Sequence, residues 1–297
     1  MSPRGTRPRR PAARAPGASE SPGAPESPVA RETPVVAPTR DVRWVRLVTH
    51  HLAPWLRRYH PGEVRGLDNL PAGPALLVGN HNGGMLTPDS WLLGAALYQR
   101  FGIDGVPFAL AHAFPLSWPA VGPLLRRLGA VPADHANAAA MFARDAKVLV
   151  YPGGDEDAYR PWRHRNRVVF GGRVGYVRLA LRTGVPIVPV VAAGAHKVSV
   201  IIDDLRPVAR ALGLDRRFRV KVWPVTFSLP WGLTPGPALP LVPFPVAINI
   251  ALLPPVTFDR QGAEAADDRD YVRACADHVE GLMQAALDRM TSEPRVA

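Results

Sequence analysis

The chain has 297 residues, with 36 Lys+Arg against 25 Asp+Glu and a formal charge of +11. That length buries a large core unaided, and the single cysteine, Cys275, excludes an intrachain disulfide. The charge points to anionic partners such as phospholipid head groups, CoA phosphates or nucleic acid, or else to an arginine-rich composition with no partner behind it.

Residues 1–40 hold seven Arg, three Glu and almost no large apolar side chain. They cannot bury enough surface to offset the entropy of ordering, so a disordered tail is expected. The basic start lacks the apolar core of a signal peptide. Over 41–58, Trp44, Val48, Leu52 and Trp55 recur at helical spacing, with Arg43, Arg46, His50 and Arg57 opposite. This predicts a basic amphipathic helix, lying on a membrane surface or burying its tryptophans on its own domain.

From Leu67 a strand–helix alternation sets in. Strands are expected near 74–79, 107–111, 129–132, 148–151 and 185–191, and helices near 88–99, 117–128, 136–145 and 172–183. The fold class is therefore α/β, one domain over 59–291 with a mostly parallel central sheet flanked by helices. Residues 224–255 are apolar but too rich in proline for a membrane-spanning helix. They read as a hydrophobic surface loop followed by a strand at 246–252, the loop either dipping into a bilayer or packing on the sheet. A helix over 263–291 closes the domain, with Tyr271, Cys275, Val279 and Met283 on one face.

Three strand-end segments carry chemistry. His81 follows the apolar run Pro74–Gly79, where a neutral imidazole can take a proton from an alcohol. Asp89, eight residues on, is placed to accept the other ring N–H and fix the tautomer. No Gly-x-Ser-x-Gly elbow is present, and Cys275 has no partner near it in sequence, so an enzyme-bound acyl intermediate lacks a nucleophile. The second segment, Tyr151-Pro152-Gly153-Gly154, makes a tight turn whose N–H groups can approach an anion. It runs into Asp155, Glu156 and Asp157, then the arginines 160, 163, 165, 167, 173 and 178, several of which can pair with those acids and still bind a phosphate. The third is Val185-Pro186-Ile187-Val188-Pro189, whose prolines point to a bent strand or one that ends at a site. No histidine or cysteine spacing fits a metal site.

In this order, Asn80-His81…Asp89, Tyr151-Pro152-Gly153-Gly154 and Val185-Pro186-Ile187-Val188-Pro189 resemble the motifs of the glycerolipid (lysophospholipid) acyltransferase superfamily, in the branch similar to monoacylglycerol acyltransferases. The resemblance covers about 60–260. It departs from the commonest pattern twice: the acid stands eight rather than five positions after the histidine, where this chain has Leu86, and Gly153 replaces a glutamate.

The resemblance implies transfer of an acyl group from acyl-CoA or acyl-carrier protein to a hydroxyl of a lipid acceptor. His81 is then the general base and Asp89 its orienting acid. The loop Asn82-Gly83-Gly84 contributes oxyanion N–H groups, and Gly153 and Gly154 with Glu156, Arg173 or Arg178 hold an anionic acceptor or the CoA phosphates. It implies no metal or bound cofactor and a peripheral position on the cytoplasmic face of a membrane. The competing class is a non-catalytic lipid- or anion-binding protein on the same fold. Nucleic acid is not expected, because the arginines are not interleaved with aromatics in an RNA-binding pattern.

Overall fold

The computed structural model describes residues 39–84, 86–214, 221–236 and 242–292. The expected tail falls outside these residues except at its end. There Arg40 donates to Val106 O (2.6 Å) and lies 3.8 Å from the centre of the Phe108 ring, so the domain begins before residue 41.

The strands are β1 (Val64–Arg65), β2 (Ala75–Gly79), β3 (Phe108–Ala111), β4 (Ala130–Pro132), β5 (Lys147–Val150), β6 (Ile187–Ala193), β7 (Val200–Asp203), β8 (Val225–Ser228), β9 (Gly232–Pro235) and β10 (Asn249–Leu252). The helices are α1 (Val42–Leu47), α2 (Ala53–Tyr59), α3 (Pro88–Phe101), α4 (Ala113–Ser117), α5 (Val121–Arg127), α6 (His135–Phe142), α7 (Gly154–Ala158), α8 (Gly175–Thr183), α9 (Arg206–Ala211), α10 (Ala263–Asp267) and α11 (Arg269–Ser292).

Seven strands form the central sheet in the order β1-β10-β6-β2-β5-β3-β4. The five from β6 to β4 are parallel, and β10 runs antiparallel to β6. Successive residues of β2 feed different layers. Leu76 and Val78 pack with Met141, Val177 and Met283 on one face, while Ala75 and Leu77 pack with Leu56, Leu93 and Leu97 on the other. A strand covered on both faces reads as a continuous apolar run, which is why this sheet is visible in the sequence. Pro189 does not end β6. It sits opposite Val78 in the register, and its carbonyl accepts from Leu253 N.

Local chemistry sets the boundaries of α3. Pro88 occupies its first turn, Asp89 supplies an acid there, and Gly102 (φ 68°) ends it. The expected helix over 117–128 is broken into α4 and α5, and that over 263–291 into α10 and α11.

Two regions differ from expectation. Residues 42–59 are helical, but Pro54 withholds one backbone donor, and a π-helical turn at Val48–Leu52 stands before α2. The side turned inward is Val45, Thr49, Ala53 and Leu56, not the tryptophan stripe; Trp55 is 56% and Leu52 38% exposed. The Pro-rich stretch is not simply a loop. β8 and β9 pair antiparallel and join β7 in a second, three-stranded sheet. Residues 237–241 of that stretch lie outside the described residues.

Candidate active site

β6, β2 and β5 are neighbours and run parallel, so their carboxyl ends share one edge of the sheet. From that edge emerge His81 after β2, Tyr151 to Gly154 after β5, and His196 after β6. The His81 and Tyr151 segments thus meet where an open α/β sheet presents its ligand crevice, whereas Val185–Pro189 lies at the start and middle of β6 and only the later His196 reaches that edge.

The His81 loop is held by its own amides. Asn80 docks on β6: its Nδ2 donates to Ala192 O (3.1 Å) and its Oδ1 accepts from Ala192 N (2.8 Å). Asn82 donates through Nδ2 to Asn80 O (3.0 Å) and to Asp89 Oδ2 (3.2 Å). Gly83 (φ 71°) and Gly84 (φ 65°) are both left-handed. A Cβ on Gly83 would stand 2.6 Å from Val198 Cγ2, and one on Gly84 2.9 Å from the Tyr159 ring, so both positions require glycine. Gly79 likewise leaves room for the Tyr151 ring, whose centroid lies 5.0 Å from that of His81.

Two expectations about this loop are corrected. No hydrogen bond joins Asp89 to His81: the buried Asp89 carboxylate accepts from Asn82 Nδ2 and from Ser90 N (3.0 Å). The acid eight positions on has entered the first turn of α3 and reaches the histidine's neighbour instead. The Gly84 N–H donates to Ala158 O (3.1 Å), so it is committed to the fold rather than to an oxyanion.

The histidine is braced by one of the acid–arginine pairs that the run after Gly154 makes possible. Asp157 and Arg160 are both buried and meet at 2.8 Å. Asp157 Oδ2 accepts the His81 backbone N–H (2.5 Å), and Arg160 Nη1 donates to the His81 carbonyl (2.6 Å). Arg160 Nη2 also donates to Asn82 Oδ1 (2.5 Å) and Arg165 O (3.1 Å), and its Nε to His164 O (3.2 Å). One guanidinium thus ties together the β2 and β5 loops. His196 completes the cluster. Its Nε2 donates to Arg160 O (2.8 Å), which fixes the tautomer and leaves a buried Nδ1 lone pair without a partner among the described residues.

Electrostatics keep the histidine neutral. Burial and the Arg160 charge lower His81 to about 4, and its buried Nδ1 has no partner among the described residues. Burial and Arg160 likewise lower His196 to about 3. Burial raises Asp89 and Asp157 to about 6, against hydrogen bonds and the pull of Arg160. At neutral pH the site therefore holds neutral imidazoles beside one arginine shared by two carboxylates.

The Gly153–Gly154 turn is occupied by the fold's own cations. Its residues start the short helix α7, and Arg173 donates to the carbonyls of Pro152 and Gly153 and to Glu156 Oε1 (2.8 Å). Glu156 also accepts from Lys221 Nζ (3.0 Å) and Arg206 Nη1 (3.1 Å). Burial pushes Glu156 up, but these three cations outweigh it and hold the carboxyl below its ordinary value. Arg178 lies farther along α8, where its charge acts on His135. Among the described residues no three His, Cys, Asp or Glu side chains are grouped as a metal site. A cleft of about 420 Å³ lined by His60, Leu92, Gln99 and Ile248 follows α3 outward and does not include His81.

Residues 62–193, which run from β1 through β6, match the family model described as Acyltransferase. Over those residues the chain is similar to the acyltransferase family. The chain is 30% identical over 234 residues to uncharacterized proteins of Mycobacterium leprae and Mycobacterium tuberculosis. Those alignments cover 78% of this chain, which spans 61–62% of the relatives' own length. A Bos taurus protein named DGAT1/2-independent enzyme synthesizing storage lipids is 25% identical over 255 residues, 83% of this chain and 68% of its own. In fold, the chain is similar to the 1-acyl-sn-glycerophosphate acyltransferase PlsC of Thermotoga maritima. The TM-score is 0.53 at 15% identity, covering 86% of this chain and 81% of that one.

Proposed function

We propose that the protein transfers a fatty acyl group from a thioester donor, acyl-CoA or acyl-carrier protein, to a hydroxyl of a glycerolipid, with His81 as general base. The observation that carries this reading is a neutral imidazole held at a strand end in an acyltransferase-family domain. His81 accepts the proton as the alcohol oxygen attacks the thioester carbonyl. The tetrahedral intermediate collapses with loss of the thiolate, which takes up that proton. Arg160 and Asp157 position the His81 backbone, and Asp89 acts through Asn82.

Asp155, Glu156 and Asp204 neutralise Arg173, Arg206 and Lys221. Cations already paired bind a phosphate only by breaking those pairs, so this arrangement favours an uncharged acceptor, a mono- or diacylglycerol, over a lysophosphatidate. The name of the bovine relative, a storage-lipid enzyme, agrees with that direction. The basic N-terminal helix with its exposed Trp55 supports peripheral attachment to the cytoplasmic membrane face. Among the described residues no helix is long and apolar enough to cross a membrane.

The test is a panel of radiolabelled acyl-CoA and acyl-carrier protein against monoacylglycerol, diacylglycerol, lysophosphatidate and simple alcohols. Product with the acylglycerols in excess of lysophosphatidate is expected. The missing His81–Asp89 hydrogen bond keeps a second reading, a non-catalytic lipid binder, in contention. Vesicle or lipid binding with no product from any combination establishes that reading instead.

A further inference from the structure

The three-stranded sheet has its alternation turned inside out. Along β8 the hydroxyl residues Thr226 (5% exposed) and Ser228 (0%) face inward, while Phe227 (44%) and the following Leu229 (42%) face out. A sheet with one solvated face ordinarily does the reverse. The register places Phe227 directly opposite Leu233, which is 62% exposed, and Trp231 stands at the connecting turn, 52% exposed.

This outer face continues onto the N-terminal helix. Phe227 stacks on Phe244 (6.2 Å between centroids), and the preceding Pro243 accepts the Tyr59 hydroxyl (2.7 Å). Tyr59 in turn stacks on the exposed Trp55 (5.0 Å). The sheet also borders the candidate active site, because Val198, whose carbonyl accepts from Phe244 N, packs against Gly83.

From these contacts we infer that the outer face of β8 and β9 is a second lipid-bilayer contact, continuous with the N-terminal helix, which seats the His81 crevice against the membrane. The inference rests on the proposed peripheral attachment. Its occupant is argued from charge. No Asp, Glu, Lys, Arg or His occurs from 222 to 258, so insertion desolvates no ion. Residues 42–59 add Arg43, Arg46, Arg57 and Arg58 with no acid, which matches anionic head groups. Two copies of a +11 chain repel one another, which disfavours a dimer through this face. Insertion is shallow, with Trp231 at head-group depth, because the sheet edge carries backbone groups that hydrocarbon does not satisfy.

The test is co-sedimentation with vesicles of equal phosphatidylcholine and phosphatidylglycerol, comparing the wild type with Trp231→Asp, Leu233→Asp and Trp55→Asp. Circular dichroism verifies that each exposed-site variant folds. Each sheet variant is expected to lower partitioning about tenfold. A fluorophore on Leu233→Cys reports depth directly, since Cys275 is buried; a blue shift and quenching by lipid-borne quenchers are expected. Wild-type partitioning of both sheet variants with the fluorophore in water overturns the inference, while a loss confined to Trp55→Asp leaves the peripheral reading standing. A wild-type dimer that Leu233→Asp splits in sedimentation velocity also overturns it, assigning the face to a second copy. If no form of the protein sediments with vesicles, both the inference and the peripheral reading fall. None of these readouts depends on acyl transfer.

Discussion

Arg160 shows how much of a site can rest on one buried residue. Its guanidinium is buried, and its donors hold His81, Asn82, Asp157 and two loop carbonyls. Arg160→Met is expected to cost about 3–5 kcal/mol in urea denaturation, because it strands the buried Asp157. Arg160→Lys does not restore this, since an ammonium cannot span the same forks. His81 was legible in the sequence because it ends an apolar run. That Asp157 and Arg160 are the pair buried beside it was not, because the run of acids and arginines leaves its partners open until the β2 loop is folded over it. Their i, i+3 spacing just after a Pro-Gly-Gly turn was the one local sign of a pair. The lowered His81 makes a prediction of its own. The base stays neutral to about pH 4, so the acid limb of kcat/KM is expected well below 6.5 wherever the enzyme remains folded. A limb centred at 6.5 contradicts this. For stability the signs oppose. His81 and His196 resist protons that the unfolded chain takes up near pH 6.5, so their contribution is lost as pH falls toward 4 and 3. Asp89 and Asp157, raised to about 6, take up protons first when folded, and their penalty is relieved over the same range. His196→Gln is therefore expected to lessen the drop in melting temperature from pH 7 to pH 5.

At the level of elements, the loop after β2 is specified by glycine. Gly83→Ala meets Val198 Cγ2 at 2.6 Å and strains a φ of 71°, so a lower melting temperature and lower activity are expected. Adding Val198→Ala restores part of the stability by removing the clash, but not the part owed to φ. The central strands were legible because burial on both faces makes them continuously apolar. The N-terminal helix was legible as a helix with two uses left open for its tryptophan stripe, and that stripe is not the side turned inward. The small residues Thr49 and Ala53 pack inward, whereas the bulkier Leu52 and Trp55 remain exposed. β8 and β9 escaped notice because Pro224, Pro230 and Pro235 crowd their ends and their apolar residues face outward, so composition resembled a loop. The helix α7 was hidden by its glycine start and its run of acids.

Over the whole molecule, one mostly parallel sheet delivers the loops after β2, β5 and β6 to a single edge, and Arg173, expected to receive a phosphate, is instead paired with Glu156 beside it. The order of the segments was legible in the sequence. The distance from Asp89 to His81 and the fate of Arg173 were not, since both depend on how loops pack across the sheet edge. What the molecule presents is a histidine that burial and Arg160 keep neutral, in a stretch that matches the Acyltransferase family model. The most direct test is acyl transfer by purified His81→Ala, measured with a radiolabelled thioester donor and the best acylglycerol acceptor, alongside thermal melting. Loss of about a hundredfold or more in kcat at an unchanged melting temperature is the expected result. A folded His81→Ala protein that transfers acyl groups at the wild-type rate contradicts the assignment of His81 as the base.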